Sequence, residues 1–395
     1  MLDGYRLIDG GKAMADEYLT RNIIPAINSK IVGGKGAIFY LDDGRKVLDF
    51  SAQTLNLSLG HNYPELIEAA KTQLDRLAYH SSRFMSDVFI NLSEKLVSLT
   101  DKHLNKINLK LTDGSDAVES AIKRARVASG KPYIVAFKGS HHGETVETLA
   151  SSGKHFDGPF LGSSRKYLWL EPDDSCEDEL AGWLRSRKDI AGVIVEPVMV
   201  NAGVIVHPTG RLRRIRELCS KFGVALIFDE IQTAFGWVGT TFAYERLGVV
   251  PDMLALGKAL APGFPLAALA LNNQYDVLDY GYDELTYGGH PVSCAVALDN
   301  LKILAETDFK ISKKEGLLAR GLNKYGGRGM GLIWGVPGQD IKRAKRIYTD
   351  CFDQGLLLRL SGDESTLILK PPLMVTEVQI RQALGIFEKI WLGQS

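Results

Sequence analysis

Two ionisable residues lie beside strongly apolar segments, where a charge is costly. Lys258 follows Leu-Ala-Leu-Gly and precedes Ala-Leu-Ala-Pro-Gly, and Asp229 ends the apolar run 224–228. A lysine amine in apolar surroundings has a lowered pKa and acts as a nucleophile towards carbonyl groups. A buried carboxylate needs a cationic or hydrogen-bonding partner. We therefore consider Lys258 and Asp229 as candidate catalytic residues, with a solvated loop lysine and a helix-capping aspartate as the structural alternatives.

A third candidate is an anion site at the start of a helix. Apolar residues recur at positions 118, 121, 122 and 125, which predicts a helix between Asp113-Gly-Ser and Gly130. The first amides of a helix lack intrahelical partners, and with the helix dipole they favour an anion at Gly114 and Ser115. The same residues also fit an ordinary turn and helix cap.

The elements that must position these residues follow an α/β pattern. Between about residues 107 and 271, short β-branched or aromatic runs alternate with helical stretches, which is typical of a mostly parallel sheet between helices. The runs cover residues 133–137, 167–170, 193–195, 224–228, 253–256 and 265–271. Ionisable side chains follow several of them: His141, His142, Glu196, Asp229 and Lys258. Ligands of open α/β sheets bind beyond the carboxyl ends of the strands, so we expect one shared site.

The two ends of the chain have a different pattern, with a predicted helix at 291–305 and a short predicted strand at 366–369. We therefore expect a large domain at 50–289 and a smaller α+β domain formed by residues 1–49 and 290–395.

Composition limits the classes of partner. Lys plus Arg and Asp plus Glu number 47 each, so no overall charge indicates nucleic acid or an anionic membrane as a partner. The four cysteines lie far apart, without a spacing that suggests a metal site, and fit a reduced protein. The amino terminus lacks a signal-peptide pattern, and no apolar run approaches the roughly 20 residues of a membrane helix. We expect a cytoplasmic protein.

Six motifs occur in order along the chain: Gly-Ser-Asp-Ala-Val-Glu from residue 114, His-His-Gly from 141, Glu-Pro from 196, Asp-Glu-Ile-Gln-Thr from 229, Leu-Gly-Lys-Ala-Leu around Lys258, and Thr-Tyr-Gly-Gly-His-Pro from 286. Together they resemble the class III aminotransferases, which are fold-type-I enzymes dependent on pyridoxal 5'-phosphate. The resemblance extends from residue 43 to near the carboxyl end. It implies a large domain built on a mostly parallel seven-stranded sheet.

The resemblance implies a role for each matching position. Lys258 would form a Schiff base with the cofactor and carry a proton between substrate carbon and cofactor, while Asp229 would pair with the pyridine nitrogen. Gln232 would hydrogen-bond the ring hydroxyl, and Ile231 would cover one ring face. His141 occupies the position at which relatives usually stack an aromatic side chain on the other face.

Further positions complete the implied site. Gly114 and Ser115 would bind the phosphate through backbone amides, and His142 and Glu196 would lie at the cofactor. Thr286 would reach the phosphate of the neighbouring subunit, so the resemblance implies a homodimer.

The chain departs from the family near the substrate. Relatives often hold an α-carboxylate with an arginine three residues before the carboxyl-terminal Pro motif, and Ile368 occupies that place. Lys370 lies close by and is a candidate anion contact, although its side chain should point differently. Many relatives also place a glutamate where this chain has Asn201. The joint loss suggests a site not built like that of ornithine or acetylornithine aminotransferases.

Three further positions are candidate substrate contacts. Trp237 replaces an arginine usual in the family and is either an apolar wall of the pocket or a structural aromatic residue. Gln53 and Thr54 align with the loop that lines the substrate pocket in relatives. Glu230, in contrast, is expected to turn away from the site and make structural contacts.

The predicted reaction is transamination in two halves, with pyridoxamine 5'-phosphate formed between an amine donor and a carbonyl acceptor. Because the usual arginine is absent, we expect the donor to carry its amine away from any carboxylate or to be a specialised biosynthetic intermediate. The same fold also supports racemases or epimerases, aminomutases and decarboxylating transaminases. A non-catalytic sensor half of a transcription regulator is a further alternative. Such a protein needs a DNA-binding domain, but the sequence shows no basic helix, and the residues before position 43 are too few for that domain.

Overall fold

The computed structural model describes residues 20, 27, 29–152 and 166–393. Its strands are β1 (Ile31–Lys35), β2 (Ile38–Leu41), β3 (Lys46–Asp49), β4 (Lys106–Leu111), β5 (Tyr133–Phe137), β6 (Tyr167–Leu170), β7 (Ile190–Val195), β8 (Val198–Met199), β9 (Ile205–Val206), β10 (Ala225–Asp229), β11 (Met253–Leu256), β12 (Ala267–Leu271), β13 (Arg328–Met330), β14 (Ile333–Pro337), β15 (Leu356–Leu357), β16 (Arg359–Leu360) and β17 (Thr366–Leu369).

The helices are α1 (Pro64–Arg76), α2 (Asp87–Leu99), α3 (Gly114–Ser129), α4 (Val146–Ser151), α5 (Cys176–Ser186), α6 (Thr209–Phe222), α7 (Ala243–Leu247), α8 (Pro291–Glu306), α9 (Ile311–Leu322), α10 (Ile341–Asp353) and α11 (Glu377–Gly393). Short 3₁₀ turns lie at Lys258–Leu260, Asn273–Tyr275 and Asn323–Tyr325. Residues Ala52–Leu55 form a turn in which every φ is positive, so it is left-handed.

Seven strands form the central sheet in the order β4-β12-β11-β10-β7-β5-β6. β10 is parallel to β7 and β11, and β5 is parallel to β6 and β7. Every residue of β7 and β10 is buried, as expected for parallel strands covered on both faces. The predicted α/β fold with a mostly parallel seven-stranded sheet is therefore confirmed.

Two strands differ from the sequence-based expectation. β12 is antiparallel to both of its neighbours, β11 and β4. The connection 257–266 is too short for the helical crossover that a parallel strand needs. β4 was missing from the predicted strands because its residues, Lys-Ile-Asn-Leu-Lys-Leu, mix polar and apolar side chains at the edge of the sheet.

Helix α3 lies against the sheet and begins at the predicted anion site. Asp113 caps its first turn, and Gly130, with φ of 67°, ends it in the left-handed conformation. Its apolar residues Val118 and Ile122 share a core with Ile227 of β10. This packing fixes the amino end of α3 at the carboxyl edge of the sheet.

Two smaller sheets lie near the ends of the chain. One has the order β1-β2-β3-β15, in which β15 is parallel to β3, and the other has the order β13-β14-β17-β16. The first sheet joins segments from both ends of the chain. The boundaries at 50–289 stay a prediction, and most of residues 1–28 lie outside the described residues. Within the described part of the chain, no helix has the length and apolar character needed to cross a membrane.

Candidate active site

A cavity of about 370 Å³ opens at the carboxyl edge of the central sheet. Its lining includes six residues singled out from the sequence: Gly114, Ser115, His141, His142, Ile231 and Lys258. Glu196, Asp229 and Gln232 are buried and connect to this lining through hydrogen bonds. The structure therefore brings together the ionisable groups that follow β5, β7, β10 and β11.

Lys258 lies on the wall of the cavity, directly after β11. Its φ of 44° lies in the left-handed region, which costs a non-glycine residue on the order of 1–3 kcal/mol. Burial lowers the pKa of the Lys258 amine, the charge of Asp229 opposes this decrease, and the charge of Arg359 adds to it. A lowered pKa increases the fraction of neutral amine, which is the form that accepts a proton or attacks a carbonyl.

Asp229 ends β10 and is almost completely buried. One carboxylate oxygen, Oδ2, lies 2.7 Å from Nδ1 of His142, and the other accepts a hydrogen bond of 3.1 Å from the backbone N–H of Ile231. These partners fix the orientation of the buried carboxylate. Burial of His142 holds this pair away from water.

Glu196 lies between the His141 loop and Gln232. Its carboxylate accepts hydrogen bonds from the backbone N–H of His141 at 2.8 Å and from Nε2 of Gln232 at 3.4 Å. Burial raises the pKa of Glu196 well above its ordinary value, and the charge of Asp229 raises it further.

The amino end of α3 is tightly packed. A Cβ atom on Gly114 would approach Cδ1 of Ile231 to 2.7 Å, and one on Gly143 would approach Oγ of Ser115 to 2.6 Å. Asp113 accepts a hydrogen bond of 2.6 Å from the backbone N–H of Ser115, so this amide already has a partner. The helix cap, considered as an alternative from the sequence, is thus present at the predicted anion site.

Comparison with known proteins decides the family. The profile of the aminotransferase class-III family matches residues 23–391. The chain belongs to the class III aminotransferases. It is an enzyme that moves an amino group between a small-molecule amine donor and a carbonyl acceptor.

Several relatives in this family are aminotransferases of known name. The acetylornithine aminotransferase of Methanosarcina acetivorans is 32% identical, over 92% of this chain and 91% of that protein. The 4-aminobutyrate aminotransferase of Escherichia coli is 32% identical, over 88% of this chain and 89% of that protein. The 5-aminovalerate aminotransferase of Pseudomonas putida is 35% identical, over 67% of this chain and 66% of that protein.

Solved structures of the family share the fold. The ornithine aminotransferase of Toxoplasma gondii ME49 has a TM-score of 0.87 and 28% identity, over 96% of this chain and 93% of that chain. A second structure of the Toxoplasma gondii enzyme, with partial occupancy of pyridoxal phosphate at its active site, has a TM-score of 0.86 and 28% identity, over 96% of this chain and 92% of that chain. The predicted fold-type-I architecture is confirmed.

Class III aminotransferases depend on pyridoxal 5'-phosphate, and the residues of the cavity fit this cofactor. Oε1 of Gln232 is buried and has no hydrogen-bond partner among the described residues, so it can accept from a ring hydroxyl. Gly114 lines the cavity directly against Ile231, so any side chain at this position would push Ile231 out of its place in the lining. Asp229 supplies a buried carboxylate for a protonated ring nitrogen.

Glu230 serves the fold of this aminotransferase, as expected from the sequence. Its buried carboxylate accepts hydrogen bonds from the backbone N–H groups of Ala243 and Tyr244 at the start of α7. Burial raises the pKa of Glu230 to about 8, although these hydrogen bonds act in the opposite direction. Asp229 and Glu230 thus face different parts of the molecule.

Gln53 and Thr54 lie in the left-handed turn Ala52–Leu55. The buried Asp49 holds this turn by accepting hydrogen bonds from Oγ of Ser51 at 2.8 Å and Nε2 of Gln53 at 3.2 Å. Thr54 is exposed, and its hydroxyl donates to the carbonyl of Gln53 at 2.6 Å. The substrate contacts of Gln53 and Thr54 stay predictions.

Lys370 and Trp237 are both fully buried and contact each other. Nζ of Lys370 lies 4.2 Å from the centroid of the Trp237 ring and donates to the backbone carbonyl of Gln232. Burial lowers the pKa of Lys370 well below its ordinary value, and the charges of Lys258 and Arg359 lower it further. The sequence indicated Lys370 and Trp237 as separate candidates, but their contact with each other depends on the fold. Their predicted substrate contacts stay untested.

Thr286 lies outside the cavity, on an exposed segment. Its backbone carbonyl accepts a hydrogen bond of 3.2 Å from the hydroxyl of Tyr79. The ring of Tyr79 also lies 5.7 Å from that of Tyr287, measured between centroids. Thr286 is therefore available to a neighbouring molecule and not to the cavity of its own chain.

Proposed function

We propose that this class III aminotransferase uses an ω-amine, or an amine of a specialised biosynthetic intermediate, as its donor. The observation that carries the proposal is Ile368, an apolar residue where the family resemblance places an arginine for an α-carboxylate. Two relatives are named for 5-aminovalerate and 4-aminobutyrate, which are ω-amino acids. An identity of about a third with the acetylornithine enzymes shows a shared family, but it does not show a shared substrate.

Lys258 is the proposed proton carrier of the reaction. When bound, pyridoxal phosphate supplies an electrophilic carbonyl and a ring that accepts the electrons of the bond broken at the substrate carbon. Nζ of Lys258 would hold the cofactor at rest, and the freed amine would take a proton from the substrate carbon and deliver it to the cofactor. The lowered pKa of the Lys258 amine supports this role, because a neutral amine is needed at neutral pH.

Asp229 and its neighbours hold the charge on which the reaction depends. We assign to Asp229 the role of accepting a hydrogen bond from the protonated ring nitrogen. His142 and the backbone N–H of Ile231 hold its carboxylate in place. His141 and Ile231, which both line the cavity, are assigned to the two ring faces. Gly114 and Ser115 are assigned to the phosphate; this requires the Asp113 carboxylate to give up its hydrogen bond to Ser115.

A homodimer is the proposed assembly, with Thr286 completing the site of the partner. The proposal is supported by exposed large side chains on the two segments joined by the Tyr79–Tyr287 contact. They include Tyr79, Phe84, Met85, Tyr280, Tyr282 and Tyr287. A cytoplasmic location is also proposed, and four buried cysteines without disulfides support it.

The test is a donor panel monitored through the absorption of the bound cofactor. The purified holoenzyme is mixed in turn with 4-aminobutyrate, 5-aminovalerate, ornithine, alanine, glutamate, diamines and amino sugars, without an acceptor. We expect an ω-amine to convert the cofactor to its pyridoxamine form and a 2-oxo acid to reverse the change. The Lys258→Ala variant should bind the cofactor without carrying out this exchange.

Two results would contradict the proposal. If only α-amino acids convert the cofactor, the proposed donor class is wrong. If no donor converts it, but deuterium from the solvent enters the α-carbon of an amino acid, the chain catalyses racemisation within an aminotransferase fold.

A further inference from the structure

One buried carboxylate lies within the exposed segment that contains Thr286. Tyr280, Tyr282 and Tyr287 of this segment are all exposed, but the side chain of Asp283 is only 4% exposed. The φ of Asp283, 61°, lies in the left-handed region, which a non-glycine residue keeps only where its surroundings hold it there. The contacts of Asp283 therefore determine the course of the segment.

The Asp283 carboxylate is bound by donors from two elements. Its Oδ1 accepts a hydrogen bond of 2.8 Å from Nζ of Lys123, and its Oδ2 accepts from Nδ2 of Asn108 at 3.1 Å and from Oγ of Ser120. Nε of Arg124 lies 3.4 Å from Oδ2. Asn108 belongs to β4, and the other three donors share one face of α3. Because two of the donors are cationic and the carboxylate is removed from water, these contacts form a strong anchor.

This anchor holds one side of a short exposed stretch, and close packing holds the other side. Two residues after Asp283, the backbone N–H of Leu285 donates to the carbonyl of Lys110 at 2.9 Å. At Gly289, an added Cβ atom would come within 2.4 Å of Cε2 of Phe89, so the backbone there lies directly against α2. Thr286 lies between these points and is exposed. It is thus held in position while it stays accessible to another molecule.

The anchor also joins this stretch to the helix that begins at the cavity. α3 starts at Gly114, which lines the cavity, and its residues Ser120 and Lys123 bind Asp283. One helix therefore sets the position of the exposed Thr286 relative to the site of its own chain. A hydrogen bond from Thr286 to a ligand in another subunit needs such a fixed position, because hydrogen bonds weaken steeply when their distance or angle changes.

We propose that Asp283 is a positioning residue for the neighbouring subunit, where it acts through Thr286 on the phosphate of the cofactor. The inference rests on the proposed function, because it needs the homodimer in which Thr286 completes the site of the partner. The carboxylate of Asp283 is turned towards α3 and β4, so its effect on the cofactor is indirect. Loss of the anchor should leave the cofactor of the other subunit less tightly bound.

The first experiment removes the anchor and measures how fast the diluted holoenzyme loses its cofactor. Asp283→Asn keeps the size of the side chain but removes the charge that pairs with Lys123 and Arg124. We expect cofactor loss to become about tenfold faster, as for one lost hydrogen bond to a charged group, in a protein that still sediments as a dimer. Asp276→Asn is the matched control and should keep the wild-type rate, because Asp276 lies 3.5 Å from the same Arg124 but is 43% exposed.

A double-mutant cycle tests the link through Thr286. Thr286→Val removes the hydroxyl that is assigned to the phosphate, and it should also make cofactor loss about tenfold faster. If Asp283 acts through Thr286, adding Asp283→Asn to this variant changes the rate little further. Effects that multiply, or a wild-type rate in Asp283→Asn alone, would overturn the proposal.

The second experiment determines which subunit is affected. Two mixed dimers carry the same substitutions, Lys258→Ala and Asp283→Asn, either together on one chain or on separate chains. Only the chain that retains Lys258 gives the absorption band of cofactor joined to lysine, so this band reports on a single site. When both substitutions are on one chain, the reporting site receives the altered Thr286 segment, and we expect fast cofactor loss. When they are on separate chains, it receives an intact segment, and we expect the wild-type rate.

The two mixed dimers contain the same substitutions, so a general loss of stability would affect both equally. Equal rates in the two dimers, or the reverse pattern, would overturn the role of Asp283 alone. A protein that sediments as a monomer would overturn the proposed assembly together with this inference. Because no donor is added, a wrong donor class leaves these results unchanged.

Discussion

Gly114 is packed so closely that one added carbon atom would disturb the lining of the cavity. Its backbone lies beneath Ile231 at the start of α3, where an added methyl group would come within 2.7 Å of Cδ1 of Ile231. The residue adopts an ordinary helical conformation, so the requirement for glycine comes from close approach and not from backbone strain. Any side chain there displaces the residue that is assigned to one face of the ring.

We expect Gly114→Ala to weaken pyridoxal phosphate binding by roughly tenfold or more, because Ile231 must move into the cavity. The dissociation constant is measured by titrating the apoenzyme with cofactor and following absorbance. Gly182→Ala is a matched control, because a Cβ atom at Gly182 in α5 meets nothing within 4 Å. Equal cofactor affinity of Gly114→Ala and the wild type would show that Ile231 does not confine the site.

At the scale of elements, the positions of strands along the chain were more predictable from the sequence than the pairing between strands. The apolar runs of β5, β6 and β11 could be read directly because buried parallel strands are almost continuously apolar. The position of Lys258 after β11 followed from the same pattern. The register that places Arg359 opposite Ile368 left no signal, since pairing between separate strands is set by tertiary packing.

The link between β10 and α7 makes stability depend on pH. Glu230 follows β10 and caps α7, and its pKa is raised from 4.5 to about 8. Between these values the folded protein binds a proton that the unfolded chain has lost. The contribution of Glu230 to stability is therefore complete below about pH 4.5 and is lost as the pH rises towards 8.

We expect Glu230→Gln to remove this dependence, so that the variant gains stability relative to the wild type as pH rises from 5 to 8. The free energy of unfolding is measured by denaturant titration at several pH values. Glu245→Gln is the control, because Glu245 is an exposed carboxylate that also caps α7 through the N–H of Phe242. A constant difference between Glu230→Gln and the wild type across this range would contradict the assignment.

The whole molecule has an exposed aromatic surface that a monomer does not need. Tyr280 is 76% exposed and Phe84 is 68% exposed, on segments connected by the contact of Tyr79 with Tyr287. Exposed apolar side chains concentrated in this way typically mark an interface. From the sequence, only the family resemblance at Thr286 predicted an interface, because the exposure of a side chain cannot be predicted from its residue type alone.

We expect the purified protein to sediment as a dimer, with twice the 43.4 kDa mass of one chain. Phe84→Glu should shift the equilibrium towards monomers and lower activity in parallel, since each site would lose the Thr286 of the partner. Val378→Glu introduces the same charge at a residue of α11 that is 75% exposed, and serves as the control. A fully active monomer would contradict a shared site.

The pairing of β3 with β15 has a consequence for the order of events during synthesis. Backbone groups of Leu48 and Phe50 bond with Gly355 and Leu357, and the N–H of Lys370 donates to the carbonyl of Phe50. The segment that leads into the left-handed turn beside the site thus waits for residues made roughly 300 positions later. Contacts so distant along the chain form late. A nascent chain emerging from the ribosome can build its central sheet early, but the turn beside the site gains these contacts only after residues 355–370 have been made.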